Sequence, residues 1–489
     1  MPEITKRTLF AAGGLALAAG AARAQAPAGG PFVTRHSSTF NGRRVDYVAT
    51  VGETQTGGAN PARFVTTSYV AQGADPAKRP VLFAFNGGPS SSSQTLHMLA
   101  LGPKRIVVPQ DPRAQFGPPY RVTDNTDTVL DVADLVFIDP AETGFSRMLP
   151  GGRREHFYSV QGDAQSVSDF LVAWSKVNGR EASPKYVAGE SYGTMRAAFM
   201  AGQLARVMPL EGVFLFGQAV NMIETSQRAK NALAYATNLT ALAAIAAYHG
   251  KAERRGRSMN AIIDEAYAWG MGGYLQALVK GYDLPERERR RVAARLQAMT
   301  GIGADYYLAN DLAITKIAYA RELLKDQGLM LGTYDARYVG PLPKPGERPT
   351  DPFAKVTAAI HPAMMEHYAT RLGVTWPASE YRTAAPNTGS WTWAPTLGPG
   401  GPFHDYDYAA HIDPAFQANA RFRLMIGTGI YDLTTTVGPA RYLVNRSNWP
   451  RGRVFQRQYE GGHMAYTHEP SLRAFTADIR AWVSGGRPA

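Results

Sequence analysis

The chain has 489 residues, 45% of them hydrophobic, and a formal net charge of +12. That size and apolar share suit one large α/β domain carrying an insertion, and the absence of cysteine excludes a thiol nucleophile, disulfides and thiolate metal sites. The positive charge is dispersed except at Arg254-Arg255-Gly256-Arg257 and in Glu286-Arg287-Glu288-Arg289-Arg290-Arg291; the latter reads as a solvated helix face, and nothing resembles a nucleic-acid-binding module.

The first segment is not fold. Lys6-Arg7, the small apolar stretch Leu9 to Ala22 and the Ala22-Arg23-Ala24 site make residues 1–24 a cleavable signal peptide. The mature chain is therefore expected in the periplasm or outside the cell. Thr5-Lys6-Arg7-Thr8-Leu9-Phe10 holds one of the two arginines of a twin-arginine signal. The apolar stretch is shorter than a bilayer span, so no permanent membrane anchor is expected.

Arg43–Val51 and Ala62–Val70 alternate as two antiparallel strands around Gly57-Gly58. Pro80 precedes Val81-Leu82-Phe83-Ala84-Phe85, a continuous apolar run typical of a buried parallel strand. It ends in Asn86-Gly87-Gly88-Pro89-Ser90-Ser91-Ser92-Ser93. Asp134–Asp139 is a further strand. Tyr186-Val187-Ala188 leads into Gly189-Glu190-Ser191-Tyr192-Gly193, and Thr194–Leu204 leads out as a helix. Gly212–Gly217 is again a short strand.

Between Asn221 and Gln327 the texture changes to long Ala-, Arg- and Leu-rich helical segments such as Gln227–Tyr248 and Leu284–Met299. This is expected to be a helical cap. Tyr338–Pro352 and Thr396–Pro402 are Pro/Gly-rich loops. Trp376, Trp391 and Trp393 lie between them; packing under the cap is the commoner role for such residues, and lining a substrate pocket is the alternative. His404, Asp405, Asp407 and His411 fit no ligand template and read as a polar loop rather than a metal site. No metal or other cofactor is expected. Arg421–Ile426 and Arg453–Tyr459 are the last strands. The first runs into Gly427-Thr428-Gly429-Ile430-Tyr431-Asp432, the second into Glu460-Gly461-Gly462-His463-Met464.

A Gly-x-Ser-x-Gly between strand and helix is the nucleophile elbow of α/β-hydrolases, whose acid and histidine follow the serine in that order. Asp432 and His463 each stand just after a strand, where the sites of open α/β sheets lie. The glycine-rich turn leaves His463 free to swing over the sheet. The paired Gly87-Gly88 at a strand end can present backbone N–H groups to a developing oxyanion.

Together these segments resemble the serine carboxypeptidase family. It has an Asn-Gly-Gly-Pro-Gly-x-Ser-Ser segment, matched by Asn86 to Ser93, and a Gly-Glu-Ser-Tyr-(Gly/Ala) elbow, matched by Gly189 to Gly193. Its Asp-x-Pro-Val-Gly-Thr-Gly-(Phe/Tyr)-Ser segment is matched at Asp139-Pro140-Ala141-Glu142-Thr143-Gly144-Phe145-Ser146, and its late Gly-Gly-His at Gly461 to His463. The resemblance implies Ser191, Asp432 and His463 as the triad and the N–H groups of Gly88 and Tyr192 as the oxyanion hole. It also implies that Asn86 and Glu190 grip the substrate's terminal carboxylate and that Met464 lines the leaving-residue pocket.

There are departures. Many members carry a glutamate fourteen residues after the Asn, sharing a proton with the elbow glutamate; here that position is Ala100. The carboxylate grip is then weaker, and activity is expected to persist to higher pH than in relatives with the pair. Ser90 replaces a usual Gly, Ser91 a usual Cys, and Glu142 a usual Gly. Family members rich in disulfides are eukaryotic, so the lack of Cys points to the bacterial secreted branch.

The expectation is an α/β-hydrolase fold with a mostly parallel central sheet and a largely helical cap insertion. Residues 30–220 and 401–489 form the core, and residues 221–400 the cap and loops. The expected activity is that of a serine carboxypeptidase acting on peptides through an acyl-enzyme on Ser191. An esterase or acyltransferase on the same scaffold is the alternative, followed by a catalytically silent binding protein. The sequence carries no signal of oligomeric state.

Overall fold

The computed structural model describes residues 29–386, 388–394, 398–399 and 406–488. Residues 1–24, expected to be a signal peptide, most of the Thr396–Pro402 loop, His404 and Asp405 lie outside the described residues. The main sheet is built from β1 (Phe32–Phe40), β2 (Arg43–Thr56), β3 (Ala62–Ala71), β4 (Val81–Phe85), β5 (Asp134–Ile138), β6 (Lys185–Glu190), β7 (Gly212–Phe216), β8 (Arg423–Gly429) and β9 (Val454–Tyr459). Its order is β1-β2-β3-β5-β4-β6-β7-β8-β9, and the short strand Arg147–Met148 pairs with β3. The first three strands and the β3–β5 pair are antiparallel; from β5 to β9 every pairing is parallel. This is the α/β-hydrolase fold.

The parallel strands read as unbroken apolar runs because both faces are covered. In β4, Leu82 and Ala84 enter one core while Val81, Phe83 and Phe85 enter the other. In β7, Phe214 and Phe216 alternate with Val213 and Leu215 in the same way. Each Val, Leu or Phe among them contributes about 1.5–3 kcal/mol by leaving water. One face is covered by α1 (Val160–Val177) and α2 (Tyr192–Leu204). Residues 221–400 divide between two environments. The helices α3 (Ala232–Tyr248), α4 (Met259–Trp269) and α5 (Glu286–Thr300) build their own core with Tyr307 and Tyr319. By contrast α6 (Ala354–Arg371) packs on the sheet, where Tyr368 Oη and Thr67 Oγ1 are 2.6 Å apart. The chain closes with α7 (Val437–Arg446) and α8 (Glu469–Val483), which lie on opposite faces.

The alanine-rich face of α3 permits close approach. A side chain on Gly438, at the start of α7, would come within 1.9 Å of Thr237 O on α3. Ile430, Tyr431, Leu433 and Val437, which flank Asp432, join the cap core. The cap is therefore packed directly on the loop that carries Asp432.

The three tryptophans find neighbours other than the cap. Trp376 meets Phe32 and Phe145 edge-on at 5.0 Å. Trp391 and Trp393 stand edge-on to Tyr192 of the elbow at 5.4 and 5.7 Å. His411 stacks on Phe199 at 3.6 Å and its Nε2 meets Tyr406 Oη at 2.8 Å. Asp407 accepts the Ala410 N–H. Among the described residues no helix is long and apolar enough to cross a membrane.

The register sets the position of the site. Phe85 lies opposite Gly189, Glu190 opposite Phe216, Phe216 opposite Gly427, and Gly429 opposite Tyr459. The loops carrying Asn86, Ser191, Asp432 and His463 therefore all leave the same edge of the sheet.

Candidate active site

Ser191 sits between β6 and α2 with φ +57° and ψ −129°. A non-glycine residue in such backbone costs about 1–3 kcal/mol, sustained by its surroundings. The Ser191 N–H donates to Phe216 O at 2.9 Å. The flanking glycines are required by contact: a Cβ on Gly189 would lie 2.2 Å from Gly193 O, and one on Gly193 would lie 3.0 Å from Asn86 O. Gly217, at φ +55°, passes under the His463 ring, where a Cβ would meet Cε1 at 3.0 Å. Phe216-Gly217 thus links the serine to the histidine.

The Asn86–Ser93 loop lies on the elbow. A Cβ on Gly87 would stand 2.6 Å from both Tyr192 N and Glu190 O. Gly88 follows at φ +115°. Among the described residues neither the Gly88 nor the Tyr192 N–H donates to a protein acceptor, as expected for a turn beside the first residue of a helix.

His463 Nδ1 is 2.7 Å from Asp432 Oδ2, and both side chains are buried. Asp432 also accepts the Thr434 N–H at 2.5 Å, the Thr435 N–H at 3.0 Å and the Thr435 hydroxyl at 2.7 Å. A carboxylate so supplied with donors fixes the imidazole tautomer, with the proton on Nδ1 and the lone pair on Nε2. Burial pulls the His463 pKa down, but Asp432 and Glu190 outweigh it and hold it above the ordinary value. Among the described residues neither Ser191 Oγ nor His463 Nε2 has a hydrogen-bond partner. Ser191 is the one partly exposed member of the three. Contacts of this kind often tighten only when substrate is bound.

The histidine turn is not free to swing. The His463 N–H donates to Tyr334 O at 2.5 Å and the Gly462 N–H to Asp335 Oδ2 at 3.0 Å. The Tyr334 ring stands edge-on to the imidazole at 5.5 Å.

Glu190 is buried beside this pair. Asn86 Nδ2 donates to its Oε1 at 3.1 Å, and the Tyr466 hydroxyl donates to its Oε2. Burial dominates and pushes its pKa up to about 7, against the stabilising effect of His463, Tyr466 and Asn86 on the ionised form. Tyr466 was not legible as a site residue. It follows the His463 turn on the short helix Ala465–Thr467, which packs against the segment holding Ala100. Ala100 itself is wholly buried in the sheet-side core, and its carbonyl accepts from Asn125 at 2.7 Å. Met464 is 8% exposed and belongs to the same core.

Two further devices brace the loops. Asn86 Oδ1 accepts the Leu96 N–H at 3.0 Å, and its main-chain oxygen accepts from Arg196 at 2.9 Å. Arg196 is fully buried and pairs with Asp163 at 2.8 Å. Asp139 accepts the Ser93 N–H and hydroxyl at 2.8 and 2.9 Å; burial raises its pKa to about 6. Both residues that stand where the resembled family usually has Gly adopt left-handed backbone: Ser90 at φ +66° and Glu142 at φ +68°. Glu142 is held there by donating groups, the Met148 N–H at 2.9 Å and Arg382.

Residues 66–207 match the family model of the serine carboxypeptidases. That span holds Asn86, Gly88, Glu190, Ser191 and Tyr192, but not Asp432 or His463. No curated protein matches the chain. Solved structures that align with it include a proline iminopeptidase of Mycobacterium smegmatis, at 14% identity, TM-score 0.37, covering 88% of this chain and 98% of that one. A thermophilic esterase from Thermogutta terrifontis aligns at 12% identity and TM-score 0.35, with 88% and 98% covered. A putative epoxide hydrolase from Pseudomonas aeruginosa aligns at 12% identity and TM-score 0.32, with 89% and 97% covered.

Proposed function

We propose that the protein is a serine carboxypeptidase, exported by its N-terminal signal peptide, which removes C-terminal residues from peptides. The observation that carries this over an esterase or acyltransferase is the buried Glu190, held by Asn86 and Tyr466 beside the elbow. Ester chemistry has no use for a carboxyl group kept half-protonated near neutrality. A terminal carboxylate does: a protonated Glu190 can donate to it, and the second N–H of Asn86 can do the same.

In this reading Ser191 attacks the carbonyl of the last peptide bond. His463 takes the hydroxyl proton on Nε2, and Asp432 holds the tautomer and stabilises the imidazolium. The N–H groups of Gly88 and Tyr192 bind the oxyanion; losing one such donor costs about 3 kcal/mol of barrier. His463 then gives its proton to the departing amino group. Water, activated by the same nitrogen, hydrolyses the acyl-enzyme and restores Ser191. Glu190 must carry a proton and His463 must lack one, so activity rises as His463 deprotonates and falls as pH passes through about 7, giving a narrow bell.

The test is incubation of purified protein with a peptide library, read by mass spectrometry. Stepwise loss of residues from the C-terminus, absent in Ser191→Ala, is the expected result. Internal cleavage, or cleavage of esters alone, would overturn the assignment.

A further inference from the structure

Residues 333–337 leave the insertion and run across the mouth of both loops that carry the acid and the histidine. On one side the Leu433 N–H donates to Thr333 O at 3.1 Å, and the Ala336 N–H donates to Tyr431 O at 3.0 Å. These bonds flank Asp432. On the other side Tyr334 O and Asp335 Oδ2 accept the successive N–H groups of His463 and Gly462. The fit leaves no slack: a Cβ on Gly462 would lie 2.1 Å from Tyr334 O and 2.4 Å from the Asp335 Cα. That contact is a physical reason for glycine just before the histidine.

The strap is itself fixed. Asp351 accepts the Thr333 N–H at 2.7 Å and its hydroxyl at 2.6 Å, anchoring the start. At the other end Arg337 grips Asp335 with its fork, Nε to Oδ1 at 3.0 Å and Nη2 to Oδ2 at 2.7 Å, and the Arg337 N–H adds a third bond at 3.0 Å. Asp335 is 1% exposed and Arg337 7%. The buried carboxylate is thus held on both oxygens, and Oδ2, shared with Arg337 Nη2, also accepts the Gly462 N–H of the histidine turn. Two loops that come from different strands thus share one rigid ruler.

We infer that Asp335, locked by Arg337, is a positioning residue that sets the distance between His463 and Asp432 through the Gly462 amide. The inference rests on the serine-hydrolase reading of Ser191 and His463, but not on the carboxypeptidase step. Without Asp335 the His463 turn loses one of its two anchors on the strap. The imidazole then drifts from Asp432, and misplacement by about 1 Å can cost about 10²-fold in rate.

The test uses the full chain and two substrates that need no terminal carboxylate, a fluorophosphonate probe and p-nitrophenyl acetate. Asp335→Ala should label about 10- to 100-fold more slowly and lower kcat on the ester with KM unchanged. The acid-side midpoint of the labelling rate should also fall, because the imidazolium loses contact with Asp432. A purely structural role would move neither rate nor midpoint in the folded protein. Where Asp335→Ala does not fold, Arg337→Lys decides on the same readouts, since it keeps the charge and loses the fork. Labelling at the wild-type rate, or a slower rate with the midpoint unmoved, overturns the inference. A wild-type protein that takes no label would instead sink the serine-hydrolase reading.

Discussion

Tyr466→Phe removes a single oxygen from a buried cluster and isolates the role of Glu190. The ring stays packed, because its neighbours are Phe216 at 5.6 Å and Phe475 at 5.7 Å. What is lost is the hydrogen bond to Glu190 Oε2, which favours the ionised carboxyl. A hydrogen bond to a charged group contributes about 1.5–3 kcal/mol, and about 1.4 kcal/mol corresponds to one pH unit. The Glu190 pKa, about 7 in the native protein, should therefore rise by about one to two pH units. In the proposed reading Glu190 acts as an acid, so activity fails as pH climbs through its pKa. In the variant that failure comes later, and the alkaline limb of kcat/KM for a free-carboxylate peptide shifts upward. The same profile measured with an ester lacking a carboxylate should not move on that side. An alkaline limb that stays in place, or one that shifts equally for the ester, would refute the assignment of Glu190 to carboxylate recognition.

Three other outcomes follow from the geometry. Ser191→Ala should abolish covalent labelling and turnover while circular dichroism and Tm stay those of the native chain, since the side chain is partly exposed. Asp432→Asn should lower kcat by about 10⁴-fold with far less effect on KM; the amide meets three donors from Thr434 and Thr435 and cannot hold the tautomer. Gly87→Ala should remove activity on peptides and esters alike, because the new methyl stands 2.6 Å from Tyr192 N and Glu190 O; native kcat on either substrate would show that the loop does not face the reacting carbonyl.

Much of the fold was readable because parallel strands buried on both faces are unbroken apolar runs, and because the elbow has a fixed strand–turn–helix grammar. Val81–Phe85, Gly212–Phe216 and the α2 helix follow from those two signals. The order of strands in the sheet gave no local signal. Nor did the division of residues 221–400, since the pattern of α6 resembles that of the cap helices although it packs on the sheet. At the site, Asp432 and His463 were singled out by their place after strands, and the structure brings the two side chains together. Tyr466, Arg196, Asp163 and Asp335 were missed. A tyrosine, an ion pair and an aspartate acquire their roles from partners up to hundreds of residues away in sequence, and no spacing rule encodes that. His463 was expected on a glycine-rich turn free to swing; Gly462 instead lets the 333–337 strap lie against the main chain, and Gly461 packs against Ala465. Ala100 could be read as a departure from the resembled family's pattern, but the tyrosine that donates to Glu190 could not.

The most direct measurement compares one peptide in two forms, free acid and C-terminal amide, across pH 5 to 9 by mass spectrometry. Efficient release of the last residue is expected from the free acid, best near neutrality and lost in Ser191→Ala, with the amide cleaved poorly throughout. Equal cleavage of the two forms would contradict the carboxypeptidase reading and favour an esterase or endopeptidase on this scaffold.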